Sequence, residues 1–128
     1  MKIYLDVSCL NRPFDDQTQP RVRLESEAVT LILEKIDAGQ WEQVSSRMAE
    51  IELQAINDGV RRRRVLQLLP ESRIELTATV FARTRQLVKR RLSAADAVHI
   101  AAAEILQADV LLTCDDRLLR RGRKLPDD

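Results

Sequence analysis

The stretch SAADAVHIAAAEILQADVLLTCDDRLL, residues 93–119, contains the signals that decide the fold. Ser93 is a good helix N-cap, Asp96 lies three residues further on, and an alanine-rich apolar run follows, which together predict a buried helix. The short apolar run 110–112 then predicts a strand buried on both faces, and the polar residues 113–116 end it. A helix that leads into a buried strand is typical of α/β proteins, where ligands bind at the ends of strands.

Length and composition predict one globular domain, residues 1–128. A chain of 128 residues is long enough to bury one hydrophobic core but not two. Its composition, with 45% hydrophobic and 32% charged residues, is ordinary for a globular domain. The net charge is only +1, but basic residues cluster at 61–64, 83–91 and 117–124. These clusters permit nucleic-acid binding without the high pI that would argue for it directly.

The sequence predicts a cytoplasmic protein without membrane contact. No apolar run approaches the roughly 20 residues of a membrane span, and the N-terminus lacks the basic-then-apolar plan of a signal peptide. In the cytoplasm, Cys9 and Cys114 are expected to be free thiols. Both follow predicted strands, and their proximity is an open question at this point.

Strands and helices are predicted to alternate along the rest of the chain, which indicates a parallel sheet. Strands are predicted at 2–7 and 42–45, helices at 21–38, about 48–56 and 78–92, and a brief extended segment at 74–76. The residues predicted to face the core are Leu24, Ala28, Leu31, Ile32 and Ile36 in the first helix and Val80, Phe81, Leu87 and Val88 in the last.

Four acidic residues fall near corresponding ends of these elements: Asp6, Glu52, Asp96 and Asp115. Asp6 and Asp115 would leave a parallel sheet at the same edge. Ligation by oxygen alone suits Mg²⁺ or Mn²⁺, and carboxylates that hold such ions are a common means of cleaving phosphodiesters. Zinc is disfavoured because the chain has one histidine and its cysteines are far apart in sequence.

The acid in the second predicted helix is a choice between Glu50 and Glu52. The helical spacing places Glu52 within an apolar stripe and Glu50 on the other side of the helix. The stripe consists of Met48, Ile51, Ala55 and Ile56. We therefore prefer Glu52 as a ligand, and the structural alternative is a buried ion pair with one of the arginines.

Each of the other acids also has a structural interpretation. Ser93 and Asp96 form a capping-box variant, which by itself would explain Asp96. Asp115 and Asp116 would fit a turn equally well. Four acids at corresponding ends of predicted elements make a shared site the better interpretation of the set.

The chain resembles the PIN-domain nucleases and, among them, the ribonuclease toxins of type II (VapBC-like) toxin–antitoxin modules. The resemblance covers nearly the whole chain and rests on YLDVS at 4–8, DAVHIA at 96–101 and LTCDDRL at 112–118. It implies a PIN-like three-layer α/β/α sandwich with a central parallel sheet. It also implies an endoribonuclease dependent on Mg²⁺ or Mn²⁺, a homodimer, and inhibition by a small antitoxin protein.

The resemblance also implies roles for individual residues. Asp6, Asp96 and Asp115 correspond to metal-site acids, and Ser8 matches the small polar residue beside the first of them. The Thr-x-Asp spacing from Thr113 selects Asp115 as the ligand. Asp116 would then be an outer-shell acid, and the family spacing does not choose between Glu50 and Glu52.

Several points depart from the family pattern or stay open. The basic, proline-containing segment 117–128 stands where the family usually adds a strand, so it is open whether the last strand is present. Arg12 would contact a phosphate or stabilise its turn, and Arg90, Arg91 and Arg117 are further candidates for RNA contact by charge. The arginines at 61–64 are expected to form a solvated helix face. The alternative function is a catalytically silent PIN domain that binds RNA or a protein.

Overall fold

A parallel three-stranded sheet forms the centre of the structure, a computed structural model that describes residues 1–122. Its strands are β1 (Lys2–Leu5), β2 (Glu42–Val44) and β3 (Val110–Leu112), in the order β2-β1-β3. Tyr4 of β1 lies opposite Val44 on one side and Leu111 on the other. The predicted parallel arrangement is confirmed.

Helices follow each strand in the described part of the chain. They are α1 (Val7–Asn11), a 3-10 turn (Arg12–Phe14), α2 (Pro20–Asp37), α3 (Arg47–Gln54), α4 (Gly59–Leu66), α5 (Ala78–Val88), α6 (Ala94–Ile105) and α7 (Asp116–Gly122). The predicted helices are therefore present, although α5 ends four residues before the predicted 92. Arg91 adopts a φ of 69°, in the left-handed region, and this separates α5 from the Ser93 cap of α6. The predicted extended segment 74–76 is reduced to one parallel bridge between Ile74 and Ser46.

Alternate side chains of β1 face two layers of core. Ile3 and Leu5 pack with Val29 of α2 and Leu53 of α3 on one side of the sheet. Tyr4 points to the other side and packs near the small side chains of α6, including Ala102. Because successive side chains of a strand point to opposite faces, both faces of the sheet are covered by helices. The expected three-layer architecture is confirmed.

The buried face of α2 differs from the predicted one. Leu24 and Leu31 are 64% and 60% exposed, and Ala28 is also exposed, although Ile32 and Ile36 are partly buried as expected. The buried residues are Val22, Ser26 and Val29. Both sets recur at helical spacing, so periodicity alone could not decide which of them packs on the sheet.

The predicted faces of α3 and α5 are also partly wrong. In α3 the buried residues are Ala49 and Leu53, whereas Ile51 is 47% exposed. In α5, Val80 and Leu87 are buried as predicted, but Phe81 and Val88 are 43% and 41% exposed. The buried positions in each helix are those that meet the neighbouring helix or the sheet, a choice that depends on tertiary contacts.

Strand β3 is half-buried along its length, and the prediction of burial on both faces is wrong. Within residues 1–122, β3 is an edge strand of the sheet, and a groove of about 360 Å³ lies along it between α6 and α7. The basic residues at 123 and 124, and the question of a last strand after 122, lie outside the described residues. None of the helices between residues 1 and 122 is both long and apolar enough to cross a bilayer.

Candidate metal and catalytic site

Asp6 stands between the end of β1 and the start of α1 and is only 6% exposed. Its Oδ1 accepts a hydrogen bond of 2.8 Å from the backbone N–H of Val7. Its Oδ2 accepts hydrogen bonds from the hydroxyls of Ser8 at 3.0 Å and Thr113 at 2.8 Å. The buried carboxylate is thus held by hydrogen-bond donors on both oxygens.

The hydroxyls of Ser8 and Thr113 also hold the segment that follows β3. Ser8 Oγ accepts from the backbone N–H of Cys114, and Thr113 Oγ1 accepts from that of Asp115, both at 3.0 Å. Because each hydroxyl has one proton, which it donates to Asp6, each connects the carboxylate to one backbone amide. Both residues were expected to support the acid site, and the structure places them against Asp6.

Asp96 and Asp115 are brought to the same end of the sheet as Asp6. Asp115 directly precedes α7, and its Oδ1 accepts a hydrogen bond of 2.8 Å from the backbone N–H of Arg117. Asp96 lies in the first turn of α6, and its backbone N–H donates to Ser93 Oγ at 3.2 Å. Burial raises the pKa of Asp96, and the charges of Asp6 and Asp115 raise it further. Asp6 and Asp115 therefore both lie near enough to Asp96 for their charges to act on its carboxyl group.

Glu52 and Glu50 have different surroundings. Glu52 Oε1 lies 2.6 Å from His99 Nε2, and the same nitrogen is 3.9 Å from Asp6 Oδ1. Glu50 instead forms ion pairs with two arginines, Arg47 and Arg73. The arginine pair that the sequence offered as the alternative for Glu52 is found at Glu50, and the geometry favours Glu52 as the fourth acid.

His99 and Tyr4, to which the sequence assigned no role, lie beside the acids. His99 Nδ1 lies 2.6 Å from the Tyr4 hydroxyl, which is 2.6 Å from Ser46 Oγ. Burial raises the pKa of Tyr4 well above its usual value. One feature of the sequence could have pointed to His99: it is the single histidine, and it lies in an apolar helical run three residues after Asp96. This spacing places His99 and Asp96 on one helix face.

His99 has a raised pKa through two opposing effects. Burial lowers the pKa of His99, but the hydrogen bond and charge of Glu52 raise it, as do the charges of Asp6 and Asp96. The net pKa lies above the usual value of histidine because these acidic neighbours outweigh the loss of solvent.

Asp116 is turned toward α2. Its carboxylate oxygens accept two hydrogen bonds from Arg21, of 2.8 Å and 3.0 Å, and this ion pair lowers the pKa of Asp116. Both side chains are 61% exposed. In this arrangement Asp116 joins α7 to α2 on the surface, and its expected outer-shell role stays a prediction.

Arg12 and Arg61 are occupied by contacts within the fold. Arg12 lies 3.2 Å from Asp15 and 3.7 Å from Glu25, which supports the turn-stabilising alternative for this residue. Arg61 donates to the side chain of Asn11 and to the Phe14 carbonyl, and forms an ion pair with Asp15. The expectation that the arginines of α4 form a solvated face is therefore wrong for Arg61, because its guanidinium binds the 3-10 turn and so connects that turn to α4.

The remaining candidates for RNA contact are exposed and lie near the acids in the chain. Arg90 and Arg91 follow α5, and Arg117 lies two residues after Asp115. Arg121 of α7 donates to the Arg91 carbonyl, which brings the two basic clusters together. The exposed arginines of the two clusters, called here the basic surface, thus meet at the segment that leads into α6.

Cys9 and Cys114 lie close together as free thiols, with Sγ atoms 3.6 Å apart. The hydrogen bond between the thiols raises the pKa of Cys9 and lowers that of Cys114, and burial further raises the pKa of Cys9. Cys114 stands between Thr113 and Asp115, so the thiol pair is directly next to the acids.

The donor chemistry of the site fits a hard divalent cation. The ring nitrogens of His99 are engaged by Glu52 and Tyr4, which leaves carboxylate oxygens as the available ligands. Within residues 1–122, no group of three or more His, Cys, Asp or Glu side chains is arranged so that it could hold a metal ion. Mg²⁺ usually keeps several waters and binds through one or two carboxylates, so these residues fit a hydrated Mg²⁺ or Mn²⁺ without a preformed cage.

Comparisons with known proteins give a family match and a structural neighbour. A family model described as PIN domain matches residues 3–124. The structure is similar to the crystal structure of FitAcB from Neisseria gonorrhoeae, with a TM-score of 0.61 and 18% identity, over 94% of this chain and 93% of that one. At this identity the likeness shows the fold alone. A comparison with curated protein sequences found no match.

Proposed function

Because the chain belongs to the PIN domain family, whose members are generally nucleases, we propose that it is a metal-dependent endoribonuclease. It would hydrolyse RNA phosphodiester bonds with Mg²⁺ or Mn²⁺. The observation that carries the proposal is the placement of Asp6, Asp96 and Asp115 at one end of the parallel sheet, where the charges of Asp6 and Asp115 both act on Asp96. Mutually repelling carboxylates at a strand end are stabilised by a bound cation.

In the proposed mechanism Asp6, Asp96 and Asp115 would hold a hydrated cation, and Glu52 would complete the acidic group. A divalent ion bound there would supply an activated water and would neutralise charge on the leaving oxygen. The hydroxyls of Ser8 and Thr113 fix the Asp6 carboxylate before any ligand arrives, since both donate to its Oδ2. Such preorganisation reduces the rearrangement that the reaction requires.

RNA is the proposed substrate, and its phosphates would be met by the exposed basic surface. Arg90, Arg91 and Arg117 are the candidates, because they are exposed and belong to the clusters that Arg121 joins. Contacts to phosphates position a nucleic acid without reading its sequence. The proposal therefore assigns binding and orientation, but no RNA sequence, to these arginines.

We further propose that the protein is the cytoplasmic toxin of a type II pair, acting as a homodimer inhibited by a small antitoxin. The resemblance of its motifs to VapBC-like toxins motivates this step. Apolar residues left exposed two turns apart on each of two helices are consistent with a protein partner, since contiguous exposed apolar patches mark interaction surfaces. They are Leu24 and Leu31 on α2 and Phe81 and Val88 on α5.

A catalytically silent domain that binds RNA or a protein is the second candidate. One observation favours it: in the part of the chain that the structure describes, the acids are not arranged as a ready three-ligand metal site. The two functions differ in whether RNA is cut or only bound.

The test is an RNA cleavage assay on the purified protein with Mg²⁺, with Mn²⁺ and with excess chelator. We expect cleavage only with added metal, and none from Asp6→Asn or Asp96→Asn. Asp37→Asn, at the exposed end of α2, is the matched control and should cleave like the wild type. Activity in excess chelator, or in both site variants, would refute the metal mechanism, and RNA binding without cleavage would establish the second candidate.

A further inference from the structure

A chain of three hydrogen bonds, two buried and one part-buried, connects Ser46 to Glu52 through β1 and α6. Ser46 Oγ lies 2.6 Å from the Tyr4 hydroxyl, which lies 2.6 Å from His99 Nδ1. On the other side of the ring, His99 Nε2 lies 2.6 Å from Glu52 Oε1. The chain begins at the N-cap of α3, crosses β1 and α6, and returns to a carboxylate on α3 itself.

The direction of the last hydrogen bond follows from the number of available protons. An ionised Glu52 can only accept, so His99 Nε2 must carry a proton and donate it. If Tyr4 donates to His99 Nδ1 and Ser46 donates to Tyr4, every hydroxyl proton of the chain is used once. His99 Nδ1 is thereby fixed by the Tyr4 hydroxyl, and the Tyr4 hydroxyl is fixed in turn by Ser46.

The histidine ring has little freedom to move. His99 and Tyr4 are 1% and 0% exposed, and their rings pack edge to face with centroids 5.6 Å apart at 66°. The Glu52 side chain is 30% exposed, so solvent alone would leave its long side chain free to adopt several rotamers. The bond from the buried ring therefore decides where the Glu52 carboxylate lies.

The position of the ring relates Glu52 to the acid site. The same Nε2 that donates to Glu52 is 3.9 Å from Oδ1 of Asp6, so the imidazole stands beside both carboxylates. Glu50, two residues earlier on α3, has no part in this chain because Arg47 and Arg73 engage it.

We propose that His99, held in place by Tyr4, is a positioning residue that aims Glu52 at the Asp6 end of the acid group. The inference rests on the proposed nuclease function, since Glu52 would be aimed at the cation and the scissile phosphate. His99 acts through Glu52 and does not itself touch the substrate. Hydrogen-bond partners behind ligating carboxylates characteristically orient them in this way.

The first experiment compares His99→Phe and Tyr4→Phe with the wild type. His99→Phe removes both ring hydrogen bonds, and Tyr4→Phe removes only the hydroxyl that orients the ring. We expect His99→Phe to lower kcat and the affinity for Mn²⁺, read by electron paramagnetic resonance, by about tenfold each, with KM for RNA unchanged. Tyr4→Phe should change the same quantities in the same direction by less.

A control and a double variant separate positioning from general loss of structure. Thr84→Val deletes another buried hydrogen bond, that to the Val80 carbonyl at 2.7 Å in α5, and should leave kcat and Mn²⁺ affinity unchanged. In a Glu52→Gln background, adding His99→Phe should cause less than about a threefold further loss of kcat, because a residue that acts through Glu52 has nothing left to position. Two losses that multiply would overturn the proposal.

The failure of this inference is distinguishable from that of the proposed function. A wild-type protein that neither binds Mn²⁺ nor cleaves RNA refutes the function and, with it, the positioning role. A wild type that does both, beside a folded His99→Phe variant with the same kcat and Mn²⁺ affinity, overturns the positioning role alone. If His99→Phe does not fold, Tyr4→Phe decides by the same two measurements, since it preserves the ring and its packing.

Discussion

The Thr113 hydroxyl donates a hydrogen bond of 2.8 Å to Oδ2 of Asp6, across 107 positions of the chain. The same hydroxyl accepts from the backbone N–H of Asp115 at 3.0 Å. One side chain therefore couples the carboxylate that follows β1 to the acid that follows β3. Because the two strands are adjacent and parallel, with Leu5 paired to Leu112, their ends deliver these groups to one place.

Replacing Thr113 by valine tests this coupling, since valine keeps the shape and removes the hydroxyl. We expect kcat/KM for RNA cleavage to fall by roughly tenfold, because loss of an orienting partner of a metal ligand typically has that effect. The free energy of unfolding should fall by about 2 kcal/mol, as for a lost hydrogen bond to a charged group. Cleavage kinetics and urea denaturation measure the two quantities. Unchanged kinetics in a folded Thr113→Val protein would show that Asp6 needs no such support.

The matched pair Glu52→Gln and Glu50→Gln tests the choice of the second acid. Glu52→Gln should reduce kcat strongly, because its carboxylate lies beside His99 and Asp6. Glu50→Gln should retain nearly full activity, because it loses only surface ion pairs with Arg47 and Arg73, which contribute about 1 kcal/mol or less. Single-turnover RNA cleavage is the measurement. Inactivity confined to Glu50→Gln would reverse the assignment.

The raised pKa of Asp96 predicts a stability that depends on pH. Burial, with the charges of Asp6 and Asp115, raises the pKa of Asp96 in the folded state, so the folded protein binds this proton more tightly than the unfolded chain does. Stability is therefore lost as pH rises from the usual Asp pKa through the raised value. Without metal at pH 7, Asp96→Asn should have a higher Tm than the wild type, and this difference should vanish below the usual Asp pKa.

Added Mn²⁺ provides the complementary measurement on the same two proteins. A ligand that binds the folded state raises Tm, so Mn²⁺ should raise the Tm of the wild type more than that of Asp96→Asn. Thermal unfolding followed by circular dichroism measures both effects. Equal shifts in the two proteins would remove Asp96 from the metal site.

The contact between Cys9 and Cys114 predicts sensitivity to oxidised glutathione. The sulfur atoms are 3.6 Å apart, and a disulfide requires about 2.05 Å, so a small side-chain movement would join them. Exchange would form one protein disulfide and release two glutathione thiols. RNA cleavage should then fall and recover on reduction, because Cys114 lies between Thr113 and Asp115. Mass spectrometry and thiol counting follow the reaction, and Cys9→Ser should neither form the bond nor lose activity reversibly.

The basic surface predicts which arginines contact RNA. Alanine at Arg90, Arg91 or Arg117 should weaken RNA binding and reduce the salt dependence of log K by roughly 0.7 for each phosphate contact that is lost. Arg12→Ala should instead lower stability, because Arg12 pairs with Asp15 and Glu25. RNA binding measured at several salt concentrations separates the two behaviours. An unchanged salt slope in all three surface variants would place the RNA elsewhere.

Much of the fold could be predicted from the sequence because it depends on local patterns. The Ser93 cap and the alanine-rich run predicted α6, and the apolar run after it predicted β3. Strand–helix alternation predicted a parallel sheet, and a parallel sheet brings Asp6 and Asp115 to one edge. Helix capping, hydrophobic periodicity and chain direction depend on residues that are near one another in sequence, so these features can be predicted without a structure.

The tertiary structure alone decided which face of each helix is buried and which partner each polar side chain has. The apolar residues of α2 allow two faces, and only packing on the sheet buries Val22 and Val29 while leaving Leu24 exposed. In the same way, only the packing of α3 on α6 brings Glu52 within hydrogen-bond distance of His99. Such choices depend on distances between side chains far apart in the sequence, and no local pattern encodes them. The sequence by itself therefore predicted most of the strands and helices and the four candidate acids, and the tertiary structure determined which neighbours contact each acid.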